Sequence, residues 1–179
     1  MKKGHIIELE QTYKQLPEKF YRTVLPEKQM KPERLLWNRS LCEQLGIEEN
    51  AETVNVLTGY RTLENIAPFA QSYAGHQFGQ FTMLGDGRAI MVGEVITPKV
   101  KRYDIQLKGA GQTPYSRSGD GRASVGPMVR EYIISEAMHG LGIPTTRSLA
   151  LYKTGNDVIR EKRLDGAILT RIASSHIRV

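Results

Sequence analysis

Lys108 closes a β-rich run, Tyr103 to Leu107, and leads directly into Gly109-Ala110-Gly111. Glycine lets backbone N–H groups approach oxygen closely, and a lysine fixed at a strand end supplies a cation, so this placement suits a phosphate ligand. Two Gly-Asp-Gly-Arg sequences flank it, Gly85 to Arg88 upstream and Gly119 to Arg122 downstream. Either one alone reads as an ordinary hairpin turn. Their repetition on both sides of a strand lysine points to a nucleotide site.

A lysine ammonium at such a site needs a carboxylate, because leaving it unpaired in low dielectric costs on the order of several kcal/mol. Protein-kinase-like lobes meet this need with a helix glutamate roughly 20 to 30 residues after the lysine. Glu131 and Glu136 both qualify. Glu131 has Met128, Ile134 and Met138 as helical neighbours and Glu136 has Tyr132, Ile133 and Gly140, so periodicity leaves both open.

Other chemistries are poorly supported. No Gly-Lys dipeptide occurs, which excludes a Walker-type phosphate loop. Gly109-Ala110-Gly111 begins like a dinucleotide fingerprint, but Pro114 occupies the third glycine position. His5, His76, His139 and His176 lack a metal-ligand spacing, and Cys42 is the single cysteine, so no intrachain disulfide forms.

The elements that must position these residues follow from local signals. Pro17, Pro26 and Pro32 predict an irregular N-terminal arm with one short helix near 10 to 15. Asn38 and Gly46 bracket a helix over 39–45, and a second covers 51–57, closed by Gly59. Residues 67–80 are rich in small and aromatic residues without a clean period. Strands are expected over 80–85, 89–96 and 102–108 in meander order, hence antiparallel. Residues 109–123 read as a long loop, and Ser124 to Leu141 as an amphipathic helix capped by Gly142. Strands over 147–153, 157–162 and 167–172 follow, with turns at Gly155-Asn156 and Asp165-Gly166. The fold class is α+β.

The chain has 179 residues, 40% hydrophobic and 25% charged, with a net charge of +6. That is the composition of a globular domain. No apolar run approaches the roughly 20 residues needed to span a bilayer, and Glu8 and Glu10 interrupt any signal-peptide core, so a cytoplasmic protein without membrane contact is expected. Aromatics are sparse at 7% and basic blocks do not exceed two residues, which argues against nucleic acid as the partner of the positive charge.

Several segments resemble the selenoprotein O family: Gln71 to Gly79, Gln106 to Gly111, Thr113 to Arg117, Gly119 to Ala123, Ser135 to Met138 and Leu141 to Arg147. The resemblance runs from about Leu16 to the last residue. It implies a protein-kinase-like N-lobe over 79–179 preceded by a partly helical extension over 1–78. The implied activity is protein adenylylation, with AMP passing from ATP bound in a flipped orientation to Ser, Thr or Tyr hydroxyls of proteins, and with magnesium, or manganese in its place, as the metal. Carried over by position, Lys108 resembles the family's strand lysine and Glu131 its helix partner, which decides between the two glutamates. Gly85, Gly87 and Arg88 resemble a shortened nucleotide loop, and Asp120 and Gly121 a second nucleotide-contacting turn. Arg171 and Arg178 resemble the arginines that hold the terminal phosphates. The family's base aspartate and metal ligands are expected beyond Val179, in a C-lobe. No catalytic residue or metal ligand is therefore expected within this chain, which should be inactive by itself and show an apolar lobe-facing patch. The alternative is a non-catalytic module that binds polyanions through Arg88, Lys108, Arg122, Arg171 and Arg178.

Overall fold

Alternation along two neighbouring strands sets the layers. In Arg102–Lys108 (β6), Ile105 and Leu107 are fully buried in one cluster, while Gln106 and Lys108 point to the opposite face. Arg163–Ala173 (β9) repeats this, with Ile168 and Ile172 in the first cluster and Ala167 and Leu169 in a second. The first cluster is closed by helices Arg39–Leu45 (α1) and Ala51–Leu57 (α2), which supply Leu41, Leu45, Val56 and Leu57. The second is closed by Val125–Gly140 (α3) through Met128. Each fully buried leucine or isoleucine contributes about 1.5–3 kcal/mol, so the two clusters hold helices on both faces of one sheet.

The computed structural model describes residues 7–77 and 79–177. The remaining strands among them are β1 (Tyr21–Thr23), β2 (Glu33–Trp37), β3 (Phe69–Gln77), β4 (Gln80–Gly85), β5 (Ala89–Ile96), β7 (Ala123–Ser124) and β8 (Arg147–Ile159). Their order is β1-β3-β5-β6-β9-β8-β2, with β4 on β3 and β7 on β9, and the pairings are antiparallel. The protein is α+β, with a large antiparallel sheet and three helices among the described residues. Asn38 caps α1 by accepting from the Leu41 N–H, and Gly46 ends it at φ 71°.

Four expectations change. Residues 69–77 form a strand, paired with β1 over 69–71 and with β4 over 72–77. The arm is not wholly irregular: its prolines interrupt it, yet 21–23 and 33–37 join the two ends of the sheet's main path, where edge strands tolerate nearby proline. Strands from both sides of residue 78 thus belong to one sheet. The short helix near 10 to 15 is a 3₁₀ turn, Thr12–Gln15. Last, Gly155-Asn156 is a bulge inside β8 rather than a turn. The Lys31 backbone lies where a Gly155 Cβ would be, at 2.6 Å, and the Asn156 side chain bonds to Lys28 O and Met30 N, so the arm holds the bulge. The β8–β9 connection therefore falls at Arg160 to Lys162, and Asp165 pairs with Asp157 within the ladder.

Candidate functional site

Register brings the chemistry together. Gln106 on β6 stands opposite Arg171 on β9, and both face α3. The Lys108 Nζ lies 2.6 Å from Glu131 Oε2, and Arg171 Nε lies 3.2 Å from Glu131 Oε1. Arg171 also donates to Gln106 Oε1 at 2.6 Å. The three charged side chains are 27%, 25% and 22% exposed, so one carboxylate holds two half-sheltered cations and the group keeps a net positive charge. Glu136 has a different task. It accepts from Arg147 at 2.9 and 2.7 Å, from the Ser148 N–H at 2.8 Å and from Asn38 Nδ2 at 2.7 Å, fastening α3 to β8 and the start of α1. Burial pushes its carboxyl up, but these hydrogen bonds and the Arg147 charge outweigh burial and hold it below its ordinary value.

The loop after Lys108 is folded by backbone contacts among the glycine segments. The Gly109 N–H donates to Arg88 O at 2.8 Å, which docks it on the first Gly-Asp-Gly-Arg turn. Gly121, at φ 65°, packs so tightly on Gly111 that an added Cβ would lie 1.9 Å from the Gly111 carbonyl oxygen. Thr113 Oγ1 donates to Asp86 O at 2.6 Å and Ser116 Oγ to Gly87 O at 2.7 Å. The ring of Tyr115 covers Gly85, where a Cβ would come within 2.3 Å of it.

These contacts enclose an open cavity of about 1110 Å³. Gly87, Arg88, Lys108, Asp120, Gly121 and Arg171 all line it. Gly85 does not; its smallness is required by Tyr115 rather than by an approaching ligand. Arg122 also lies elsewhere, paired with Glu27 and donating to Asp157 O at 2.7 Å. Arg178 lies outside the described residues. The reading from sequence missed Arg117 and Arg160, which also line the cavity. Arg117 could have been found in the Thr113 to Arg117 segment, whereas Arg160 had been placed in a strand.

Five cations, Arg88, Lys108, Arg117, Arg160 and Arg171, face two carboxylates, Asp86 and Asp120, across this cavity. Asp86 accepts from the Gln71 N–H, and Asp120 accepts both guanidinium nitrogens of Arg160 at 2.9 and 3.0 Å. That Arg160 hydrogen bond holds the Asp120 carboxyl below its ordinary value. A cavity with this balance suits a polyanion such as a nucleoside triphosphate. It does not suit a divalent metal by itself: Asp86, Asp120 and Glu131 are committed to protein partners, and no group of three His, Cys, Asp or Glu among the described residues could hold a metal. No described helix is long and apolar enough to cross a membrane.

Fold and cavity together define an α+β domain with a cation-lined, glycine-walled site. The chain belongs to the protein adenylyltransferase SelO family, whose model matches residues 5–179. It is 56% identical over 177 residues to the protein nucleotidyltransferase YdiU of Lachnoclostridium phytofermentans, covering 97% of this chain and 37% of that protein. It is 58% identical over 172 residues to the proteins of the same name from Brevibacillus brevis and Geobacillus kaustophilus, covering 94% of this chain and 35% and 36% of theirs. The family assignment is thus that of a nucleotidyltransferase, and the chain spans little more than a third of the relatives' length.

Proposed function

We propose that this chain is the ATP-holding, protein-kinase-like N-lobe of a protein adenylyltransferase. The observation that carries the reading is Glu131 bridging Lys108 and Arg171, two cations that line the cavity. In this reading the phosphates of ATP lie against Lys108, Arg171 and Arg88, with the Gly87 and Asp120-Gly121 turns forming the walls on either side. Arg178 joins the arginines at the terminal phosphates. ATP enters flipped, so that its α-phosphorus faces the acceptor. A protein Ser, Thr or Tyr hydroxyl gives its proton to the base expected beyond Val179, its oxygen bonds to that phosphorus, the bond to the bridging oxygen breaks, and pyrophosphate leaves with the pair of electrons. The chain's own contribution is binding, orientation and neutralisation of phosphate charge. Among its described residues no group of three His, Cys, Asp or Glu could hold magnesium or manganese.

A test uses the protein extended to its relatives' length and ATP labelled at the α- or γ-phosphate. Label transferred to protein only from the α-position, and lost in Lys108→Ala, supports the reading. Transfer from the γ-position would make the protein a kinase, and full transfer by Lys108→Ala would remove the lysine from the site. The excess of cations at the cavity also fits a non-catalytic polyanion-binding module. That reading predicts binding that falls steeply with salt and does not distinguish ATP from heparin or RNA.

A further inference from the structure

We propose that Arg160 is a positioning residue for the nucleotide, acting through Asp120, a role that rests on the ATP-binding reading above. Arg160 sits at the tip of the β8–β9 hairpin, 40 residues from Asp120 in sequence. Its guanidinium meets both Asp120 oxygens, and it also donates to Arg122 O at 3.2 Å and Ile159 O at 2.7 Å. The Arg122 N–H donates to Asp120 Oδ1 at 3.0 Å, so the second Gly-Asp-Gly-Arg turn is closed around one carboxylate that Arg160 fixes. The planar fork sets the orientation of this carboxylate, which an ammonium would not do.

Both residues line the same cavity as Lys108 and Arg171. An Asp120 carboxylate without its partner would present a negative charge to an incoming triphosphate and leave the 119–121 turn free to move. Arg160 removes both obstacles while making no demand on the phosphates themselves. It also explains why a hairpin longer than its expected strands is needed: β8 runs to Ile159 and carries Arg160 over the loop between Lys108 and α3.

A double-mutant cycle on this chain, read by ATP affinity, separates this role from direct phosphate contact. Arg160→Ala is expected to weaken ATP roughly fivefold to tenfold, as expected for a lost bidentate pair that is partly exposed. In an Asp120→Asn background the same substitution is expected to cost less than about twofold. Arg160→Lys should recover only part of the loss, and the thermal midpoint should stay near that of the unsubstituted chain. Equal losses in both backgrounds would make Arg160 a phosphate ligand and overturn the proposal, as would no loss in the unsubstituted background. If the unsubstituted chain, folded, binds no ATP, the nucleotide reading falls and this role with it; if it binds ATP and Arg160→Ala binds equally, only the role of Arg160 falls.

Discussion

The Lys108 ammonium and the Glu131 carboxylate meet at 2.6 Å across 23 residues of sequence, one at the end of a sheet strand and the other on the helix packed over it. Arg171 approaches the second oxygen of the same carboxylate, at 3.2 Å. Removing Glu131 would therefore take away the one carboxylate that these two neighbouring cations share. Glu131→Ala is expected to destabilise the chain by about 1–3 kcal/mol in urea denaturation, more than Glu131→Gln, which keeps acceptor capacity on one side. Equal stability of Glu131→Ala and the unsubstituted chain would show that the bridge is not held in solution.

Glu136 should matter more for stability than Glu131. It accepts four hydrogen bonds from two segments, β8 and the start of α1, and Glu136→Gln leaves Arg147 without its counter-charge. The expected cost is about 2–4 kcal/mol, seen as a lower denaturation midpoint.

The same residue gives a pH dependence with a fixed sign. Its carboxyl is held below the ordinary value of 4.5 in the folded chain, so its stabilising contribution is fully present above that value. It is lost as pH falls through the lower folded value. Unfolding free energy measured from pH 6 downward should drop below about pH 4.5 in the unsubstituted chain and drop less steeply in Glu136→Gln. Parallel curves would remove Glu136 from the acid response.

Gly85 and Gly121 differ in why they are glycine. The atoms nearest to a Cβ on Gly85 belong to the Tyr115 ring, so Gly85→Ala should destabilise by about 1–3 kcal/mol and be largely relieved by Tyr115→Ala. Gly121→Ala meets the Gly111 backbone at positive φ and should find no such relief. Thermal unfolding of the single and double variants checks this, and an unrelieved Gly85→Ala would contradict the packing account.

Much of the sheet and all three helices were legible from local signals. Asn38 and Gly46 mark the ends of α1 by their hydrogen-bonding and backbone preferences, and the alternation of Ile105 and Leu107 with Gln106 and Lys108 places the lysine on a face. Strand β3 was not legible, because its small and aromatic residues are chosen by partners on both sides and carry no period. The bulge at Gly155 was read as a turn because its glycine answers to Lys31, far away in sequence. Arg160 was hidden for the same reason: its function depends on where the true hairpin turn falls. Arg122 looked equal to Arg88, yet Glu27 of the arm draws it away from the cavity. Local chemistry thus located the loops, and tertiary pairing decided which side chains face the ligand.

The most direct test of the account is calorimetric titration of this chain with ATP and with adenosine, alongside Lys108→Ala and Arg171→Ala. The account predicts saturable ATP binding that weakens at least about tenfold in each variant, with adenosine binding little changed, because a lost charge-assisted contact to phosphate is worth about 1.5–3 kcal/mol. ATP binding of equal strength in the unsubstituted chain and both variants would contradict it, as would the absence of any ATP binding by the folded chain.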